Sequence, residues 1–74
     1  MEFVAAFEKR MNELERQGRL ADLDLKSKVN EKVYDLAERN ELNEEVAGWF
    51  ESLEDVETDH EYWCLYHAIA EVIL

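Results

Sequence analysis

Only two glycines, at positions 18 and 48, and no proline stand against helix formation in this chain of 74 residues. Proline costs about 3 kcal/mol inside a helix and glycine about 1 kcal/mol relative to alanine. Long uninterrupted helices are therefore open to this sequence, and its apolar residues recur at helical spacing. Phe3, Val4, Phe7, Met11 and Leu14 share one face of a first helix expected over residues 2–17. Gly18 is its expected stop, with Arg16 and Arg19 near the negative end of the helix dipole.

Leu20–Asp24 reads as a short connector. Leu25, Val29, Val33 and Leu36 mark a second helix that ends near Asn40, with Asp24 or Ser27 as the expected N-cap. Asn43 followed by Glu44 and Glu45 reads as a cap with acids in the first turn. It opens a third helix through Leu53, with Val46, Trp49, Phe50 and Leu53 inward. Thr58-Asp59-His60-Glu61 has the capping-box pattern. It starts a fourth helix over 59–73, expected to bury Tyr62, Leu65, Tyr66, Ile69, Val72 and Ile73. The expectation is an all-α fold, a compact bundle of about four short helices forming a single domain over 1–74. At this length one core is marginal on its own.

Several classes of function are disfavoured by composition. A lone cysteine, Cys64, cannot form an internal disulfide, which points to a cytoplasmic protein held by packing. The longest apolar stretch, Tyr62–Ala70, is too short to span a bilayer, and residues 1–7 are too short for a leader. The chain reads as a complete small gene product. A net charge of −11 opposes contact with anionic lipid, so no membrane partner is expected, and it opposes direct binding of nucleic acid.

The charge is segregated. Residues 1–39 carry nine acids and eight bases, whereas residues 40–74 carry ten acids and no Lys or Arg. Glu41, Glu44, Glu45, Glu51, Glu54, Asp55, Glu57, Asp59 and Glu61 follow one another with no lysine or arginine among them. Helix N-termini favour acids, which accounts for Glu44, Glu45, Asp59 and Glu61. It does not account for Glu51, Glu54, Asp55 and Glu57. Uncompensated charge destabilises a compact state, so this acidic surface over 41–61 is read as a binding site. Duplex DNA places one charge per about 1.7 Å of axis, a density that nine carboxylates in one folded segment can approach locally. The aromatic pairs Trp49-Phe50 and Tyr62-Trp63 straddle the acids, with Trp63 the aromatic expected at the surface as an anchor. The partner-binding residues expected are thus Glu44, Glu45, Glu51, Glu54, Asp55, Glu57, Asp59, Glu61 and Trp63.

Two other constellations contain residue types found at metal or catalytic sites. His60, Cys64, His67 and Glu71 fall within roughly 60° of one another on the fourth helix, opposite its apolar face. They are zinc-ligand types, but one straight helix offers only two ligands to one ion, and no other Cys or His exists to complete a site. They are read as polar residues on the exposed or flanking side, and no metal or cofactor is expected. Cys64 beside two histidines suggests a thiol nucleophile, yet a thiol among carboxylates has no cause for a lowered pKa. Phosphate loops, CxxC and HExxH are absent. No enzyme is expected.

In size, charge and fold class the chain resembles the small acidic inhibitors encoded by phages and mobile elements, namely DNA mimics, anti-restriction proteins and anti-CRISPR proteins. That resemblance implies stoichiometric binding to a basic, nucleic-acid-handling protein. The second reading is a helical adaptor that forms a homodimer through an apolar helix face, with the acids serving solubility.

Overall fold

The computed structural model describes residues 2–74, with side chains from Ala5 onward. It is built of α1 (Glu2–Arg16), α2 (Leu23–Glu38), α3 (Glu44–Ser52) and α4 (Asp59–Ile73). Phe3 and Val4, assigned above to the inner face of the first helix, lie outside the described side chains. The expected all-α bundle is what the structure has, and the helix boundaries fall within a few residues of expectation.

The two stops of α1 and α2 work by the same device. Gly18 has φ +71° and Asn40 φ +58°. In each case the next residue's N–H reaches back five residues: Arg19 N–H to Leu14 O at 2.8 Å, and Glu41 N–H to Leu36 O at 2.8 Å. The left-handed residue closes the inner pair, Gly18 N–H to Glu15 O at 3.0 Å and Asn40 N–H to Ala37 O at 3.1 Å. These are Schellman closures, which use a left-handed residue to satisfy the last carbonyls of a helix.

The N-caps are also local chemistry. Asn43 Oδ1 accepts from Glu45 N–H at 2.7 Å and from Val46 N–H at 3.3 Å. Thr58 Oγ1 accepts from Glu61 N–H at 3.2 Å. The cap of α2, however, is Asp22, whose Oδ1 accepts from Leu25 N–H at 3.1 Å, and not Asp24 or Ser27. The apolar pattern misled because Leu23, the first helical residue, is 76% exposed. The helix thus begins before its buried stripe does.

Tyr66, Ile69, Val29, Val33 and Val46 form the buried core, with Leu25, Leu42, Trp49, Phe50 and Leu53 packed around them. Core contacts between α2 and α4 step along both helices in the same direction. Lys26 lies over the Tyr62 ring at 5.3 Å, and the Tyr66 hydroxyl donates to Asn30 Oδ1 at 2.9 Å. Both partners advance by four residues, so α2 and α4 run parallel. α3 closes the other flank of α4 through Val46, Trp49 and Phe50. α1 lies outside this three-helix core and has its own buried residue, Met11, while the connector that follows buries Leu20.

Two burial expectations are corrected. Val72 is 54% exposed: Ala70 and Ile73 of the same turn pack on the core, and Val72 is left on the rim of a groove between α1, α3 and α4. Trp63 is not an exposed anchor. It is half-buried against the core, with its ring 5.3 Å from Tyr62 and 5.8 Å from Tyr66. Among the described residues the aromatic that does stand in solvent is Tyr34, 65% exposed, which meets the edge of Phe50 at 6.1 Å.

Two predictions concern stability. A Cβ at either glycine meets no atom within 4 Å, so backbone conformation alone decides each substitution. Gly18→Ala, forced into positive φ, should cost about 1 kcal/mol, whereas Gly48→Ala within α3 should gain about 0.5–1 kcal/mol, both read from urea unfolding. The second prediction is alkaline. Burial, and secondarily the neighbouring Tyr62 hydroxyl, push the Tyr66 phenol from 10.0 up to about 12. The folded state holds that proton more tightly than the unfolded chain does. Its contribution is therefore complete below pH 10 and declines as pH rises through about 12. The urea midpoint should fall across that window, and Tyr66→Phe should reduce the fall while lowering stability at pH 7 by about 1 kcal/mol through the lost Asn30 bond.

Candidate functional site: the acidic turn and the α1–α4 seam

The acids expected at the site are all exposed: Glu44, Glu45, Glu51, Glu54, Asp55, Glu57, Asp59 and Glu61. Local structure sorts them into two groups. Glu44 and Glu45 occupy the first turn of α3, and Asp59 and Glu61 the first turn of α4. There they complement the positive end of the helix dipole. Glu51 sits instead in the last turn of α3, which holds no base.

Beyond that turn the chain winds tightly. Leu53 N–H bonds Phe50 O at 3.3 Å, Glu54 N–H bonds Glu51 O at 3.2 Å, and Asp55 N–H bonds Ser52 O at 3.0 Å. These three-residue closures prolong the negative end of α3 and place Glu54 and Asp55 upon it. Leu53 packs against the core and Val56 is half-buried, whereas Glu54, Asp55 and Glu57 are exposed. The result is three carboxylates, Glu51, Glu54 and Asp55, held where a helix terminus favours cations, with Glu57 following just before the Thr58 cap of α4.

No compensation reaches them. Among the described residues, none of the eight acids has a Lys, Arg or His nitrogen within 4 Å. The ion pairs are elsewhere: Arg10 with Glu71, Arg16 with Glu13, Arg39 with Asp35 at 2.8 Å and with Glu41 at 3.8 Å, and His60 with Glu15 at 2.6 Å. Among the described residues, Glu41 is the one acid of the run beginning there that is paired with a Lys, Arg or His. The paired arginines are Arg10 and Arg16 of α1 and Arg39 at the end of α2, and they are used within those helices, along the α1–α4 seam or by Glu41.

That seam is where the stripe His60, Cys64, His67 and Glu71 lies. Rather than facing solvent, these residues face α1 and its connector. His60 Nδ1 meets Glu15, His67 Nε2 lies 3.0 Å from Leu20 O, and Glu71 pairs with Arg10. α4 therefore packs on both sides, apolar toward α2 and α3 and polar toward α1. Burial pushes the Cys64 thiol above its usual range, and Glu15, Glu61 and Glu8 push it further. A thiol held protonated among carboxylates is a poor nucleophile. Among the described residues no three of His, Cys, Asp and Glu converge to hold a metal ion. Nor is any helix long and apolar enough to cross a membrane.

Glu8 and Glu15 were missed as neighbours of the site. They reach Glu61 and Asp59 across the seam, each pair lining one of two grooves that share His60. The signal was present in the sequence, since Glu8, Met11 and Glu15 lie at helical spacing and the polar stripe of α4 needs a covering helix. Comparison with family models, with curated proteins and with solved structures gives no match.

Proposed function

We propose that this chain is a small, non-enzymatic inhibitor that binds a basic surface of a nucleic-acid-handling protein and blocks it. The observation that carries the reading is the turn after α3, where the exposed Glu51, Glu54 and Asp55 crowd a helix C-terminus with no ion-pair partner among the described residues. Such an array favours a partner bearing clustered Lys and Arg. Long-range attraction speeds encounter, while release of repulsion within the turn favours the complex. In this role the chain stands in for a stretch of phosphate backbone, as phage anti-restriction and anti-CRISPR proteins of the DNA-mimic kind do. Its single free thiol suits a reducing compartment such as the cytoplasm.

A second reading is supported by a different observation. Tyr34 and Leu74, 65% and 60% exposed, border one groove of about 610 Å³ on the outer side of α2. The two exposed apolar side chains, set among Lys28, Glu31, Lys32, Asp35 and Glu38, suit a second copy of the chain, with the acids elsewhere serving solubility.

The two readings separate in a pull-down from cell lysate on immobilised protein at low and moderate salt, with Glu54→Lys/Asp55→Lys/Glu57→Lys as control bait. The inhibitor reading expects a discrete nucleic-acid-binding protein, lost at moderate salt and lost on the control. Equal recovery on both baits, or a chain whose only partner is itself, would remove the acidic turn from the mechanism.

A further inference from the structure

The seam between α1 and α4 holds a groove of about 350 Å³ at the first turns of α4. Phe7 and the buried Met11 from α1 and the half-buried Cys64 from α4 give it an apolar, soft part, and Asn12 and His60 add polar lining. Its rims are acidic, Glu8 from α1 on one side and Glu61 from α4 on the other. Both carboxylates act on the Cys64 thiol, so their charge reaches the floor. Neither has an ion-pair partner among the described residues. Cations already associate with rings in this molecule: the Arg10 guanidinium lies 5.6 Å from the Phe7 centroid while pairing with Glu71, and Lys26 lies over Tyr62.

We propose that this groove receives an arginine side chain from the basic partner, its aliphatic stem against Phe7 and Met11 and its guanidinium between Glu8 and Glu61. The inference rests on the reading of the acidic turn as a partner surface, and it specifies what on the partner is recognised there. The combination of features selects for arginine. An apolar floor takes a stem that would otherwise remain hydrated. A guanidinium is weakly hydrated, stacks on aromatic faces, and presents donors to two carboxylates at once, whereas an ammonium is a compact and strongly hydrated charge. A metal ion is a poor alternative occupant, because no three ligating side chains converge there among the described residues. Anions are repelled by both rims.

The test is calorimetric titration of the whole chain with nona-arginine and with nona-lysine peptides, in about 150 mM salt to suppress diffuse attraction. Four proteins are compared: the unaltered chain, Glu8→Gln/Glu61→Gln, the N-ethylmaleimide adduct of Cys64 formed on the urea-unfolded chain and refolded, and Glu54→Gln/Asp55→Asn. The double substitution at the rims and that in the turn remove the same charge, so net charge does not distinguish them. The cysteine adduct fills the groove without changing charge, and retained helicity by circular dichroism verifies that each protein is folded.

Occupation of the groove predicts that nona-arginine binds about tenfold more tightly than nona-lysine. It also predicts that the rim variant and the adduct each lose about that factor. Equal affinity for the two peptides, no binding of either, or an adduct that binds as well as the free thiol would overturn the proposal. The outcomes also separate the two levels of the account. Loss confined to Glu54→Gln/Asp55→Asn would keep the turn as a partner surface and discard the groove. Loss confined to the rim variant and the adduct would keep the groove and discard the turn.

Discussion

Helix α4 has to serve three neighbours at once, and the rest of the molecule is arranged around that demand. In a chain of 74 residues the hydrophobic core is small. The core centres on Tyr66 and Ile69 of α4, with Val29 and Val33 of α2 and Val46 of α3 against them. Once α2 and α3 occupy the apolar side, α1 can reach the bundle only over the opposite side. That side carries His60, Cys64, His67 and Glu71, so α1 docks through ion pairs and a histidine-to-carbonyl contact around the buried Met11 and Leu20. The polar stripe is thus a packing surface. Its residue types, which suggested a metal or a thiol nucleophile, are explained by the groups they meet on α1 and the connector.

The same arrangement settles where charge is compensated. Arg10 is used by Glu71 on α4, Arg16 by Glu13 within α1, and Arg39 by Asp35 and Glu41 at the end of α2. Among the described residues no Lys, Arg or His pairs with an acid of the turn between α3 and α4. Leu53 packs that turn against the core. Acids at the starts of α3 and α4 have a local reason to be there, whereas Glu51, Glu54 and Asp55 stand against the dipole of α3. This contrast supports a selected role for the turn, because surface solubility could be met by acids at less costly positions.

Much of the fold was legible because it is written in local chemistry. Gly18 and Asn40 end helices through left-handed closures, Asn43 and Thr58 start them through side-chain acceptors, and each effect spans only a few residues. The cap of α2 was misplaced because Leu23 is helical but exposed, so the apolar stripe begins after the helix. Trp63 was misread for a different reason: its burial depends on how Tyr62, Tyr66 and the chain around Leu20 meet, which spacing within one helix does not encode. For the site, the exposure of the eight acids followed directly from their pattern. Their lack of partners did not, since it depends on where Arg10, Arg16 and Arg39 are spent in three dimensions. The addition of Glu8 and Glu15 across the seam likewise required knowing which helix covers the polar side of α4.

The central claim is that the acidic turn costs this molecule stability and is kept for a partner. Its most direct test is the unfolding free energy of the isolated chain at low ionic strength, compared with that of Glu54→Lys/Asp55→Lys/Glu57→Lys. The account predicts that the variant is more stable, by a few tenths of a kcal/mol per substitution, with the gain shrinking as salt is added. A variant that is equally stable or less stable would show that the carboxylates are already compensated within the fold. The reason for reading the turn as a binding surface would then be gone.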